Sequence, residues 1–150
     1  MKKPEQRLWA WLRPKLAPYG RVSRVENPLD PGMPDVSYCI NGVEGWIELK
    51  VATWPARPDG IVGRGLIRPA QRAWWAKQLN AGGWTFILLR ITGRQVEHLL
   101  LDGEGAMKGI GTFSLTLLKQ KALYWWSSER DWTQYNTHEL ISQLTGKWPS

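Results

Sequence analysis

Pro34-Asp35-Val36-Ser37-Tyr38-Cys39-Ile40-Asn41-Gly42-Val43-Glu44-Gly45-Trp46-Ile47-Glu48-Leu49-Lys50-Val51 is the stretch on which the reading of this chain turns. Asn41-Gly42 is the strongest short-range signal for a two-residue hairpin loop, because both central residues must accept a positive φ. If Ile40 and Val43 flank that loop, opposed residues have numbers with a constant sum, and Asp35 faces Glu48. Side chains alternate along a strand. One face then carries Val36, Tyr38, Ile40, Val43, Ile47, Leu49 and Val51. The other carries Asp35, Ser37, Cys39, Glu44, Trp46, Glu48 and Lys50. Opposed Cβ atoms lie roughly 5 Å apart, where like charges are destabilising. A divalent cation with a neighbouring lysine would compensate two carboxylates so placed.

Pro34-Asp35, a strand-length gap and Glu48-Leu49-Lys50 together resemble the signature of the PD-(D/E)XK nuclease superfamily. The layout is most similar to the small Holliday-junction resolvases of archaea and phages. It also resembles the VRR-NUC nucleases, which share the Gly-x-Pro-Asp start seen here as Gly32-Met33-Pro34-Asp35. The resemblance covers about the first two thirds of the chain. It implies a restriction-endonuclease-like core with a mixed central sheet flanked by helices, and metal-dependent hydrolysis of DNA phosphodiester bonds leaving a 5′-phosphate and a 3′-hydroxyl.

Composition agrees with a polyanionic partner. The 150 residues carry 20 Lys and Arg against 13 Asp and Glu, a formal charge of +7, and such a balance favours phosphate contacts with counterion release. A charge that only aids solubility is the alternative. The length suits a single domain spanning 1–150, with 102–150 as an extension that completes the core or builds a dimer interface. One cysteine excludes an internal disulfide framework. No stretch approaches the roughly 20 apolar residues of a membrane span, and Met1-Lys2-Lys3-Pro4-Glu5 lacks the apolar run of a signal peptide. The expectation is a cytoplasmic protein. The resemblance implies a phage-encoded or prokaryotic setting in DNA recombination or repair.

Working outward from the hairpin, Pro4 and Glu5 suit the first turn of a helix, and Leu8, Trp9 and Leu12 follow at helical spacing, with Pro14 expected to end or kink it. Glu5 thus shares the apolar face. It is a dipole-favoured glutamate, or the upstream acid that these nucleases place near the metal. Glu26, at the end of an expected strand over 21–26, is its rival and ranks second. The segment 27–34 reads as a loop. The segment 52–68, long for a connector, is basic and rich in Gly and Pro; Arg57, Arg64 and Arg68 there, with Arg21, Arg24 and Arg72, are the candidates for DNA contact. A solvated flexible loop is the alternative for that segment.

Pro69 opens a second helix ending at Gly82-Gly83. Gln71 in its first turn is a helix-surface glutamine on its own reading, and a residue beside the metal by the resemblance. The run 84–91 reads as a central strand and 95–101 as another. This helix–strand–helix order gives an α/β layer. Beyond Asp102, glycines at 103, 105, 109 and 111 read as an irregular loop, 115–121 as a short helix, and Thr137 as the cap of a last helix ending at Gly146. His98 and His138 have no Cys or His neighbours in zinc-ligand spacing, and Cys39 has no paired histidine.

By the resemblance, Asp35, Glu48 and the main-chain carbonyl of Leu49 would ligate Mg²⁺, with Mn²⁺ able to substitute. Glu5 would ligate directly or through water. Lys50 would orient the attacking water, and Gln71 would stand beside the site. A resolvase would cut opposed strands of a four-way junction as a homodimer. A flap or end nuclease and a non-catalytic DNA-binding module remain the alternatives.

Overall fold

The computed structural model describes residues 2–27, 29–57, 59–127 and 129–149. Pro28 and Pro58, in the two expected loops, lie outside the described residues. Six strands form one sheet in chain order: β1 (Gly20–Arg24), β2 (Val36–Ile40), β3 (Val43–Thr53), β4 (Thr85–Thr92), β5 (Glu97–Asp102) and β6 (Tyr124–Trp126). Every neighbouring pair is antiparallel except β3–β4, which is parallel. That parallel step needs a crossover, supplied by helix α2 (Pro69–Asn80). Four more helices are α1 (Lys3–Leu16), α3 (Gly103–Gly109), α4 (Leu115–Lys121) and α5 (Gln134–Thr145). The architecture is a mixed α/β sheet flanked by helices. Among the described residues no helix is long and apolar enough to cross a membrane.

The hairpin forms in the expected register. Ile40 pairs with Val43 and Val36 with Ile47, and Asn41 and Gly42 both take positive φ, 54° and 77°, as the tight loop requires. The apolar face, with Val36, Tyr38, Ile40, Ile47 and Leu49, packs under Leu8, Leu12 and Leu16 of α1 and Leu140, Ile141 and Leu144 of α5. The opposite sheet face is covered by Trp75 of α2, Ala106 of α3 and Leu115 and Leu118 of α4. Strand β4 explains its unbroken apolar run by serving both: Phe86 and Leu88 belong to the first core, Ile87, Leu89 and Ile91 to the second. Residues after Asp102 therefore contribute to both cores.

Several expectations are corrected. Helix α1 continues past Pro14 to Leu16 before a 3₁₀ turn at Ala17–Tyr19, because burial of Leu16 in line with Leu8 and Leu12 offsets the one hydrogen bond that Pro14 cannot donate. Strand β1 stops at Arg24, leaving Glu26 in the loop. The glycine-rich stretch after Asp102 is a helix. Asp102 caps it, its Oδ1 accepting from the Gly105 N–H at 2.6 Å, and a Cβ on Gly109 would sit 2.8 Å from Leu118 Cδ2. Packing overrides the poor helix propensity of glycine here. Thr133, not Thr137, precedes α5; Thr137 lies inside it and accepts a bond from Trp132 Nε1 at 2.8 Å. Strand β6 has no counterpart among the expected elements.

The segment 52–68 is anchored rather than simply solvated. Val62 and Ile67 are buried, and the Val62 N–H donates to the Phe113 carbonyl at 3.2 Å while its own carbonyl accepts from Gly111 at 2.7 Å.

Candidate active site

Asp35 stands one residue before β2, opposite Glu48 by continuation of the hairpin register. The two acids hold each other through the backbone. The Asp35 N–H donates to Glu48 Oε1 at 3.1 Å, and the Leu49 N–H donates to Asp35 Oδ2 at 3.0 Å. The Asp35 carbonyl accepts from the Val25 N–H at 2.7 Å, fixing the residue from the β1 side.

What brings Asp35 to this place is the approach of the preceding loop to α2. A Cβ on Gly32 would lie 2.2 Å from the Ala70 carbonyl oxygen, so only glycine lets the chain pass there. Trp74 Nε1 reinforces the contact by donating to Asp30 Oδ2 at 3.2 Å.

Glu48 is 3% exposed. Burial, and then the facing Asp35 carboxylate, push its pKa up to about 8, only partly offset by the Lys50 ammonium. Two close carboxylates with one so poorly stabilised as an anion make a site that lacks positive charge. Lys50, two residues on and so on the same face, brings Nζ to 3.4 Å from Glu48 Oε2.

Gln71 ties this group together and corrects the surface reading, for it is buried. Its Nε2 donates to Glu48 Oε2 at 2.5 Å, and its Oε1 accepts from Lys50 Nζ at 3.2 Å and from the Arg68 N–H at 3.0 Å. An amide offers a donor and an acceptor at once, which suits a residue lodged between an acid and a lysine. The available signal was its position: a glutamine three residues after the helix cap can bond back to the cap N–H, as in half of a capping box.

Glu5, Glu26, Asp35, Glu48, Lys50 and Gln71 all line one cleft of about 830 Å³. The two rival upstream acids differ in commitment. Glu26 is largely exposed and paired with Arg24 at 2.5 Å, whereas Glu5 Oε2 is buried and has no hydrogen-bond partner among the described residues. Of the six arginines expected to meet DNA, Arg68 borders this cleft and Arg64 an adjoining groove. Arg57 is exposed. Arg21 and Arg24 lie on the edge strand, engaged with Ser23, Ser37 and Glu26. Arg72 is turned inward, donating to the Met107 carbonyl at 2.7 Å as a strut between α2 and α3.

The donor set fits a hard divalent cation. The N–H and C=O of a strand residue point to the same side of the ladder, so the Leu49 carbonyl faces the Asp35 side, as its N–H does. Among the described residues no three Asp, Glu, His or Cys side chains gather closely enough to hold a metal on their own. Two carboxylates, a carbonyl and water are nonetheless the kind of shell that Mg²⁺ accepts. The histidines stand apart. His98 is stacked against Trp11 and Trp126, its pKa driven down to about 3 by burial and by Arg90 and Lys15. His138 is bonded to the Tyr19 hydroxyl at 2.9 Å.

No protein-family model matches the chain, and no curated protein matches it. Among solved structures, the chain is similar to Archaeoglobus fulgidus Hjc, a Holliday junction resolvase from an archaeal hyperthermophile. That match has 15% identity over 67% of this chain and 76% of that one, with a TM-score of 0.39.

Proposed function

We propose that this chain is a divalent-metal-dependent DNA endonuclease acting on branched DNA. The observation that supports the reading best is the interlocked Asp35–Glu48 pair with Lys50 Nζ beside it. Asp35, Glu48 and the Leu49 carbonyl would hold Mg²⁺ or Mn²⁺, with Glu5 reaching it directly or through water. When bound, the cation supplies polarisation of the phosphate and acidification of a water. Lys50 is the group that orients the attacking water and offsets charge developing on the phosphate oxygens; a compact ammonium with three donors suits the task. Gln71 is a positioning residue, holding Lys50 and Glu48 at a fixed separation. Arg68, exposed at the rim of the cleft, would hold the DNA backbone.

Within this reading the four-way junction is the substrate implied by the resemblance of the layout to the small junction resolvases, cut by a two-fold dimer that presents two sites. Cleavage of a labelled junction beside a matched linear duplex, in Mg²⁺ and in EDTA, tests it. Paired symmetric nicks in the junction, seen only with metal, are expected. Metal-dependent cutting of ends or flaps alone would replace the junction by another branched substrate, and tight binding with no cutting in Mg²⁺ or Mn²⁺ would overturn the enzyme.

A further inference from the structure

A second groove, about 880 Å³, adjoins the carboxylate cleft and shares Lys2, Glu5 and Leu66 with it. Its charged residues are Lys2, Arg7 and Arg64 against the single acid Glu5. Arg7 and Arg64 are exposed, and among the described residues neither makes an ion pair. The arginines of the sheet are different: Arg21, Arg24 and Arg90 are all paired with glutamates.

Trp54 forms part of the same wall. Its indole is held before any ligand arrives. Nε1 donates to the Gln95 carbonyl at 2.7 Å, the backbone N–H donates to Thr92 at 2.8 Å, and the indole lies against Gly93, where a Cβ would come within 3.2 Å of it. A fixed aromatic ring beside uncommitted arginines is the combination that grips unpaired nucleotides: the cations follow the phosphates and the ring stacks on a base. Stacking needs a base whose face is open, and a paired base inside a duplex does not offer one.

We propose that this groove binds a single-stranded segment of the substrate, with Trp54 stacking on a base and Arg7 and Arg64 contacting its phosphates. The assignment rests on reading the neighbouring cleft as the nuclease site. It adds to that reading an unpaired segment beside the cleaved bond, as branched DNA offers where strands leave their duplex at the branch point.

Binding measured in EDTA separates the two claims, since no cutting is required. Fluorescence anisotropy would compare a labelled single-stranded oligonucleotide with a blunt duplex of the same sequence. Trp54→Ala is expected to weaken single-strand binding roughly tenfold and to leave duplex binding within about twofold. Trp54→Phe, which keeps a ring but loses the bond to Gln95, should retain more of the single-strand affinity. Arg64→Ala, an exposed change that spares the fold, should make single-strand affinity less steeply dependent on salt, by about 0.7 in logarithmic slope per lost phosphate contact. Unchanged single-strand binding in Trp54→Ala and Arg64→Ala, or equal losses for both DNA forms, would overturn the proposal. Selective loss together with a failure to cut any DNA would leave the strand groove standing and remove the nuclease.

Discussion

Gln71 Nε2 lies 2.5 Å from Glu48 Oε2, joining the first turn of α2 to the middle of β3. The same amide accepts from Lys50, so one side chain sets the separation of the acid and the lysine. Gln71→Ala should leave the fold intact and lower the cleavage rate at saturating metal by about 10–100-fold, the usual cost of losing such a supporting partner. Single-turnover rates across a metal titration check this. A change confined to metal affinity would assign Gln71 to Glu48 alone.

Gly32 acts at a distance. Because a Cβ there would collide with the Ala70 carbonyl, Gly32→Ala must push the loop away from α2 and carry Asp35 with it. Misplacement by about 1 Å can cost on the order of a hundredfold in rate. Cleavage assays with circular dichroism as a control for folding would show it. Wild-type rates from a folded Gly32→Ala protein would mean that the loop does not position Asp35.

The raised pKa of Glu48 has a stability consequence with a definite sign. The folded protein holds a proton on Glu48 up to about pH 8, while the unfolded chain releases it near 4.5. Between those values the folded state binds more protons, so stability falls as pH rises. The contribution is fully present below about 4.5 and gone above about 8. Thermal melts of metal-free protein should therefore show a falling midpoint across this window, and Glu48→Gln should flatten it. Mg²⁺ competes with the proton, so it should raise the midpoint more at pH 8 than at pH 6. A midpoint that rises from pH 5 to 8 in metal-free protein would contradict the burial argument.

Glu5 and Glu26 can be separated by their partners. Glu5 carries a buried oxygen with no hydrogen-bond partner among the described residues, whereas Glu26 is exposed and paired with Arg24. Glu5→Gln should slow cutting by tenfold or more, on the scale of a lost supporting ligand, and Glu26→Gln should change it little. The reverse order in side-by-side rate measurements would make Glu26 the upstream acid.

The hairpin could be read from sequence because a two-residue loop turns register into arithmetic: once Asn41-Gly42 is recognised, Asp35 must meet Glu48. The apolar stripe of α1 is legible in its helical spacing and β4 in its unbroken apolar run, since both patterns are local. Gln71 is placed beside the site only by the resemblance, and its burial is not legible in the sequence around it. Its burial depends on the crossover that lays α2 over β3, a relation between segments that no local pattern encodes. The helix at Gly103–Gly109 is hidden in the sequence because glycine disfavours helix by propensity, although the lack of a Cβ is what admits Leu79 and Leu118. Arg72 shows the limit of charge counting. Its sequence position matched a phosphate contact, and its guanidinium holds α3 instead.

The most direct test of the central claim is cleavage of labelled branched DNA by Asp35→Asn and Glu48→Gln beside the wild type, with binding measured on the same samples. Metal-dependent cutting by the wild type, lost in both variants while DNA binding persists, is the expected result. Full cutting by both variants in Mg²⁺ would contradict the assignment of this carboxylate pair as the active site.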